Sequence, residues 1–252
     1  MTQGEGEQVT SGWRAEAAEW AKTAAGAFVA FIAFTTVAFA QYEIPSESMV
    51  PHLEVGDRVT VSKFAYGYSR YSLPFEAGRL LPAHNERMFG ALPRRGDVVV
   101  FIHPVTGITM IKRAIGLPGD VIEVRSGELF VNGESAETGA AEFIERRTNT
   151  GERQRARRYE ETLPGGLVHA SLDLTPRGQF DNYGPFTVPA GHIFFMGDNR
   201  DNSLDSRWEG MGPAPIENLI GRAEIVYATA LGGCEGGEID CPMQRWLRPP
   251  HH

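Results

Sequence analysis

The sequence has few of the residues that build metal centres and disulfide scaffolds. Its 252 residues include two cysteines, Cys234 and Cys241, and seven histidines without regular spacing. Two cysteines exclude a disulfide-dense scaffold and a four-cysteine zinc site. A His-Glu-x-x-His motif is absent, so a zinc hydrolase would lack its ligands.

Other common enzyme signatures are also missing. The sequence contains no Gly-x-Ser-x-Gly elbow, no Walker or dinucleotide-binding glycine motif and no Ser-x-x-Lys pair. Their absence argues against an α/β-hydrolase, a nucleotide-binding enzyme and a β-lactamase-like enzyme. The 24 basic and 32 acidic residues leave a formal net charge of −8, opposite to what phosphate backbones attract. We expect no nucleic-acid partner.

Lysine is scarce in this chain. Only three of the 24 basic residues are lysines: Lys22, Lys63 and Lys112. Arginine keeps its proton at any working pH, whereas a desolvated lysine can lose its proton. Each lysine is therefore a candidate for acid–base chemistry.

Beyond residue 53 the sequence is typical of strands and turns. Short runs of β-branched and aromatic residues alternate with Gly, Asp, Asn or Pro, and the chain has 29 glycines and 16 prolines. This pattern predicts a mostly β fold after one N-terminal helix. The predicted organisation is a tail at 1–22, a transmembrane helix at 23–42, a β-rich domain at 43–133 and 187–252, and an inserted smaller β/loop subdomain at 134–186.

The uncharged run 23–42 predicts the transmembrane helix, because 20 helical residues span about 30 Å, the thickness of the hydrocarbon core. A buried core helix and a cleaved signal peptide are the alternatives, since Ala-Phe-Ala at 38–40 matches a cleavage pattern. A membrane span or a signal peptide exports everything after residue 42. There, Cys234 and Cys241 either close a short disulfide loop or remain two free thiols.

Two serines follow this run, in the stretch Ile44–Pro51. Prolines at 45 and 51 exclude a regular helix and predict an extended, exposed loop. Ser46 and Ser48 are two residues apart, so in an extended chain they point the same way. A serine hydroxyl needs a base before it becomes a good nucleophile.

Lys112 is the candidate base. It lies in the apolar run 110–115, where strand alternation places it with Met110 and Ala114 and places Arg113 on the other face. An apolar face lowers the pKa of a lysine, and we expect the adjacent Arg113 to add charge repulsion. Lys63 is one rival base, and His52 is the other, although His52 would have to turn back across Pro51.

A third polar block, 197–207, follows a predicted strand and holds two Asp-Asn pairs and two arginines. We expect a tight loop at a sheet end, in which Ser203 orients a neutral lysine amine while Asp205 and Arg207 pair. A calcium-binding loop is the alternative, but EF-hand spacing is absent and the arginines would oppose a cation.

Together these blocks resemble bacterial type I signal peptidases, the membrane-bound serine proteases that remove signal peptides from exported proteins. The resemblance covers about residues 23–63, 94–133 and 190–228, and the tract KFAYGYSRYSLPF is also similar to Gram-negative members. The insertion and the C-terminal tail show no match. The matching boxes, in the family's order, are PSESMVPHL (45–53), RRGDVVVF (94–101), IKRAIGLPGD (111–120) and GDNRDNSLDSR (197–207).

The resemblance implies a role for each matching residue. Ser48 is the expected nucleophile and Lys112 the general base, while the Ser46 hydroxyl joins the backbone N–H of Ser48 in the oxyanion hole. Ser203 is expected to orient the Lys112 amine, and Asp205 and Arg207 to hold the loop. Two shallow apolar pockets, which explain a preference for A-x-A sites, are expected to be lined by Tyr42, Ile44, Pro45, Met49, Leu53 and Ile111.

The resemblance also implies partners and a location. Preprotein signal peptides and the lipid bilayer are the expected partners, with no metal, nucleotide or other cofactor. The expected location is the bacterial inner membrane, crossed once, with the catalytic domain on the periplasmic side. Two departures from the family's pattern are Glu47, where many members carry a small residue, and Trp208-Glu209-Gly210, where an aromatic pair is common.

Two alternative functions remain beside this hypothesis, and self-cleavage is a further hypothesis about the same enzyme. A self-cleaving Ser–Lys repressor would share the β core, but the membrane run argues against it. A membrane-anchored β domain could bind exported proteins without cutting them, and the enzyme could clip itself after Ala40. The mixed charges of 145–161 favour a solvated loop over contact with anionic lipid.

Overall fold

One long helix precedes a chain whose regular secondary structure is mostly strands. The structure, a computed structural model, describes residues 7–72, 87–136, 139–229, 247 and 249–250. The predicted mostly β fold with one N-terminal helix is confirmed. The elements are α1 (Glu7–Ala38), β1 (Phe39–Glu43), β2 (Arg58–Ser62), β3 (Val98–Ile102), β4 (Thr109–Gly116), β5 (Val121–Arg125), β6 (Glu128–Val131), β7 (Glu134–Ser135), β8 (Glu142–Arg147), β9 (Arg153–Thr162), β10 (Val168–Asp173), β11 (Tyr183–Thr187), β12 (His192–Met196), β13 (Ala214–Pro215) and β14 (Leu219–Ala228). Cys234 and Cys241 lie outside the described residues.

The segment Trp13–Ala38 of α1 is long and apolar enough to cross a membrane. Only 6% of its apolar window is buried, and Phe28, Phe31 and Phe34 are exposed. A core helix would bury such side chains, because each phenylalanine gains about 2 kcal/mol from leaving water. The helix therefore fits a single-pass membrane anchor, and its place near the N-terminus is also that of a signal sequence.

The helix differs from the predicted span 23–42 at both ends. It begins at Glu7, because the residues before position 23 include several alanines, which favour a helix. It ends at Ala38, and Phe39–Glu43 form a strand that pairs with β2. The β ladder satisfies the backbone groups of these residues, so the helix does not continue through them.

The main sheet has seven antiparallel strands in the order β1-β2-β14-β3-β4-β12-β13. β4 lies in its interior, between β3 and β12, with Val99 opposite Lys112 and Met196 opposite Arg113. This arrangement brings the end of β12, where the 197–207 block begins, beside the strand that carries the lysine.

Two smaller antiparallel sheets complete the fold of the described residues. One has the order β10-β9-β8, and the other has the order β11-β5-β6-β7. The three-stranded sheet lies wholly within the predicted insertion 134–186. The strands at the two ends of that stretch, β7 and β11, pair with β6 and β5 instead.

The core consists of clusters of buried apolar side chains. Phe101 of β3 and Phe195 of β12 stack at a centroid distance of 4.2 Å with their rings 9° apart, and both are fully buried. A second cluster, formed with side chains of β2, β3 and β14, includes Met49 and Leu53 from the loop between β1 and β2. The core thus anchors both the lysine strand and the serine loop.

We expect Phe101→Ala to destabilise the β fold by about 3–5 kcal/mol, because it removes a stacked ring and leaves a cavity. In thermal unfolding of the full chain in detergent, followed by near-UV circular dichroism, the melting temperature should fall by about 10 °C. Val105→Ala is the control, since that side chain is 75% exposed. Equal melting temperatures for the two variants would contradict this account of the core.

Candidate active site

The two serines lie in the loop that joins β1 to β2. Backbone hydrogen bonds close its ends, from Ile44 N to Asp57 O and from Gly56 N to Ile44 O, both 2.8 Å. Met49 and Leu53 in the middle of the loop are fully buried. The loop is therefore held at its ends by the backbone and at its centre by the core.

Ser48 sits in a short 3₁₀ helix, Glu47–Met49, rather than in the predicted extended, exposed loop. The Met49 carbonyl accepts hydrogen bonds from the amides of His52 and Leu53, both at 2.9 Å. This tight turn follows from burying Met49, and it leaves Ser48 only 6% exposed. Ser46 remains exposed, and its Oγ lies 3.3 Å from the Oγ of Ser48.

Lys112 meets Ser48 inside the protein. Its Nζ donates to Ser48 Oγ at 2.6 Å and to the carbonyl of Ile111 at 3.0 Å. The lysine side chain is buried, with 4% of the residue exposed. Strand β4 and the serine loop are 64 residues apart in sequence, so only the tertiary fold joins them.

Burial lowers the pKa of Lys112 to about 8, while the Asp205 and Asp198 carboxylates raise it and so limit the fall. Burial was expected to lower this pKa, and Arg113 was expected to add charge repulsion; Arg113 is instead paired with Asp198 and is not among the groups that shift the pKa of Lys112. Loss of hydration, rather than a neighbouring cation, therefore brings the amine within reach of neutrality.

Neither rival base occupies this position. Within the described residues, Lys63 is not among the partners of the Ser48 hydroxyl, although burial lowers the pKa of Lys63 too. His52 instead contacts Asp198, with its Nδ1 3.0 Å from Asp198 Oδ2. Lys112 is the base candidate that the fold brings to the serine.

The 197–207 loop packs directly on residues 47–54, which are called the serine turn below. The Asn199 backbone N–H donates to the Ser48 carbonyl at 3.1 Å, and its side-chain amide donates to the Glu47 carbonyl at 3.1 Å. A Cβ on Gly197 would collide with the Ser48 carbonyl and with Ser203 Oγ. Glycine is thus required where the two loops meet, and Ser203 is a neighbour of the Ser48 backbone.

Asp205 and Arg207 pair as expected. Arg207 donates to the two carboxylate oxygens at 2.9 and 2.8 Å, and the Gly197 N–H donates at 3.0 Å. Burial opposes ionisation, but Arg207 and these hydrogen bonds hold the pKa of Asp205 below its usual value. Ser203 makes no hydrogen bond with Lys112 in the described part of the chain, so its orienting role stays a prediction.

The residues expected to line two shallow pockets largely share one apolar cluster. Ile44, Met49 and Leu53 are its buried members, and Tyr42 and Ile111 pack against it half-buried. Pro45 is exposed. Five of the six therefore come together beside the serine turn, and their role in binding stays a prediction.

A buried ionic pair next to this site was not predicted. Arg113, fully buried, donates to both oxygens of Asp198 at 2.8 and 2.7 Å. Although burial opposes ionisation, Arg113 and His52 hold the pKa of Asp198 well below its usual value. The sequence did contain a signal, because an arginine inside an apolar strand needs a buried acidic partner.

The Arg113–Asp198 pair contacts side chains of the three-stranded sheet. His169 Nε2 lies 3.4 Å from Glu161 Oε2 and 3.9 Å from Asp198 Oδ1, and Glu161 also accepts from Arg200. Burial, and next the Arg113 cation, hold the pKa of His169 well below its usual value. Nothing in the sequence pattern marked Glu161 and His169, because they lie in the stretch without a matching motif.

No metal centre is visible in the part of the chain that the structure describes. Its His, Cys, Asp and Glu side chains form no group of three or more that could hold a metal ion.

Known proteins are similar to this chain over most of its length. Residues 17–228 match the family model described as signal peptidase, peptidase S26. Signal peptidase I of Rickettsia typhi is 37% identical over 194 residues, covering 74% of this chain and 70% of the relative. Signal peptidase I of Pseudomonas fluorescens is 39% identical over 196 residues, covering 74% of this chain and 63% of the relative.

Among solved structures, a signal peptidase I from Enterococcus faecalis is 26% identical to this chain. The match covers 52% of this chain and 97% of that one, with a TM-score of 0.32, which is below the level at which two folds count as alike. The family assignment therefore depends on the sequence matches. Since these span most of the chain, it belongs to the signal peptidases of peptidase family S26 and is a hydrolase that removes signal peptides.

Proposed function

We propose that this signal peptidase is a membrane-anchored serine endopeptidase that cuts preproteins after A-x-A sites with a Ser48–Lys112 dyad. The observation that carries the proposal is the 2.6 Å hydrogen bond between the Lys112 amine and the Ser48 hydroxyl. Both groups are buried, and the pKa of Lys112 falls to about 8. A base with this pKa is partly neutral at physiological pH.

In the proposed acylation, neutral Lys112 takes the Ser48 proton as Oγ attacks the carbonyl carbon before the cleavage site. The tetrahedral intermediate collapses, its C–N bond breaks, and the Lys112 ammonium returns the proton to the leaving amine. The signal peptide remains as an ester on Ser48, and the mature protein leaves with a free amino group.

Deacylation uses the same base in reverse. Lys112 takes a proton from water as the water oxygen attacks the ester carbonyl. The second intermediate expels Ser48 Oγ, which regains its proton from Lys112. The enzyme returns to its starting state, and one water has been consumed for one peptide bond.

The Ser46 hydroxyl and the Ser48 backbone N–H are the proposed oxyanion donors. The position of Ser46 supports this role, because its Oγ lies 3.3 Å from the Ser48 Oγ and the residue is exposed to solvent. Each such donor typically contributes about 3 kcal/mol to the stability of the transition state. Ser203, Asp205 and Arg207 are proposed to hold the dyad in place from the 197–207 loop.

A preference for small residues at −1 and −3 is the proposed specificity. Tyr42, Pro45 and Ile111 keep accessible surface beside the serine turn, and the tightly packed cluster behind them supports shallow pockets. This packed cluster leaves little room for a large substrate side chain, because forcing extra volume into a packed core costs free energy.

We propose that α1 anchors the protein in the inner membrane with the catalytic domain on the periplasmic side. Ser48 is ten residues beyond the helix end at Ala38. Such a short tether raises the effective concentration of membrane-bound substrate. We propose a catalytic domain of 43–133 and 187–252, interrupted by an inserted subdomain at 134–186.

We expect Ser48→Ala and Lys112→Ala each to lower cleavage of a preprotein by at least about 10³-fold, because neither half of the dyad works alone. The measurement is intact-mass analysis of a preprotein incubated with the full chain in detergent. Lys63→Ala is the matched control and should retain activity.

Cleavage that survives Lys112→Ala would move the base elsewhere and overturn the dyad. If the unaltered protein only co-purifies with preprotein and never cuts it, the non-catalytic binding hypothesis is favoured. The same spectra show whether the enzyme itself begins at Gln41, the product of self-cleavage after Ala40.

We expect kcat/KM to rise with pH and to level off above about 8, because only the neutral Lys112 amine accepts a proton. Below that pKa the activity should fall about tenfold per pH unit. Lys112→Arg should be inactive throughout, since arginine stays charged. An acid limb near 6.5, the ordinary pKa of histidine, would contradict a lysine base.

We expect a preprotein with leucine in place of alanine at −1 to lose about 100-fold or more in kcat/KM, because a shallow pocket cannot admit the larger side chain. The control substrate carries leucine at −2, the position that A-x-A leaves open. Equal loss for both substrates, measured by the same mass assay, would show that the site does not select small residues.

A further inference from the structure

Glu47 separates the two serines, and its carboxylate has partners of its own. One oxygen accepts from the backbone N–H of Asn149 at 2.6 Å, and the other accepts from Arg146 at 3.3 Å. Both partners belong to the β8–β9 hairpin, residues 142–162. Glu47 is 8% exposed. Its carboxylate is therefore hydrogen-bonded to the hairpin and largely shielded from solvent.

The hairpin turn is itself well fixed. The Thr148 N–H donates to the Glu152 carbonyl at 2.9 Å, and the Gly151 N–H donates to the Thr148 carbonyl at 2.9 Å. The Thr148 hydroxyl also accepts from the Glu152 N–H at 3.2 Å. The turn is thus closed by its own hydrogen bonds, and the Asn149 N–H points to Glu47.

Arg146 connects both ends of the serine turn. Besides Glu47, it reaches Glu54 at 3.5 Å, and Gln154 of the next strand accepts from it at 3.0 Å. Its side chain is 10% exposed. A guanidinium with several acceptors in a poorly solvated position is held in one geometry, because its planar donors match fixed oxygens.

Apolar packing joins the same two elements. Val50, two residues after the serine, is 1% exposed and lies in a cluster with Ala156 of β9 and Leu172 of β10. Leu172 also exchanges backbone hydrogen bonds of 2.8 Å with the 197–207 loop, through Asp198 O and Arg200 N. The three-stranded sheet therefore supports the serine turn and its partner loop together.

The Glu47 carboxylate is not among the groups that shift the pKa of Lys112. The carboxylates that raise the pKa of Lys112 are Asp205 and Asp198. The Glu47 backbone carbonyl accepts from the Asn199 side chain at 3.1 Å and from the Val50 N–H at 3.2 Å. Glu47 is therefore placed to set the backbone of its neighbours rather than the titration of the lysine.

We propose that Glu47 is a positioning residue, through which the β8–β9 hairpin of the insertion holds Ser46 and Ser48 in the geometry that the reaction needs. This inference rests on the proposed Ser48–Lys112 chemistry. It gives the insertion a role in catalysis, because the hairpin would stabilise the position of the serine turn.

The test compares Glu47→Ala with Glu47→Gln in the full chain, using preprotein cleavage to obtain kcat and KM. We expect Glu47→Ala to lower kcat about tenfold with KM within about twofold, because small displacements of reacting groups cost rate before they cost binding. Glu47→Gln keeps an acceptor for the Asn149 N–H and should recover to within about threefold of the unaltered enzyme.

Arg146→Met tests the same link without touching the serine turn. It should lower kcat in the same direction, and the double variant with Glu47→Ala should be no worse than the poorer single variant, because both remove one connection. Arg153→Ala is the matched control, since it removes an exposed positive charge from the same hairpin and should leave kcat unchanged.

Two readouts separate positioning from other effects. The acid limb of the pH profile should stay near 8 in Glu47→Ala, since Asp205 and Asp198 are the carboxylates that raise the pKa of Lys112. Hydrogen–deuterium exchange of the peptide over 148–152 should be faster in Glu47→Ala and close to unaltered in Glu47→Gln. The exchange measurement does not depend on activity.

An unchanged kcat in Glu47→Ala, or a loss equal to that of Arg153→Ala, would overturn the inference. So would a shifted acid limb, which would assign Glu47 an electrostatic role. If Glu47→Ala does not fold, the kcat of Glu47→Gln and Arg146→Met decides. Cleavage that survives Ser48→Ala or Lys112→Ala refutes the dyad itself. If both of these variants lose cleavage but the Glu47 variants keep normal kcat, only the positioning role of Glu47 is refuted.

Discussion

The rest of the site depends on the burial of one lysine amine against one serine hydroxyl. A lysine in water keeps its proton at neutral pH, and burial brings the pKa of Lys112 to about 8. Burial requires neighbours on every side: strands β3 and β12 flank β4, and the serine loop covers the end of the side chain. Loosening any of these elements would readmit water and restore the charge.

Buried ions next to this amine need compensation within the protein. Asp198 is matched by Arg113, and Asp205 is matched by Arg207, each through two hydrogen bonds. Such pairs add little net stability, because desolvation offsets their attraction. They do join separate segments at one geometry, and here they tie the 197–207 loop to the lysine strand and to itself.

Much of the fold and site was predictable from local pattern. The strand-rich character followed from β-branched runs between turn residues, and the box order placed Ser48, Lys112, Asp205 and Arg207 among the candidates. The end of the helix was not predictable, because Phe39–Tyr42 belong to the uncharged run 23–42 and form a strand only by pairing with β2. The Glu161–His169 contact was equally hidden, since the stretch that holds it matches no motif.

The sequence by itself determined the residue types and the order of the four boxes, and with them the family. It also determined the apolar helix, because an uncharged run carries its own hydrophobic free energy. Only the tertiary structure decided which lysine reaches Ser48 and that Glu47 turns toward the insertion. These contacts join residues 64 and 102 positions apart, and the burial that alters a pKa or fixes a carboxylate arises only when distant segments pack together.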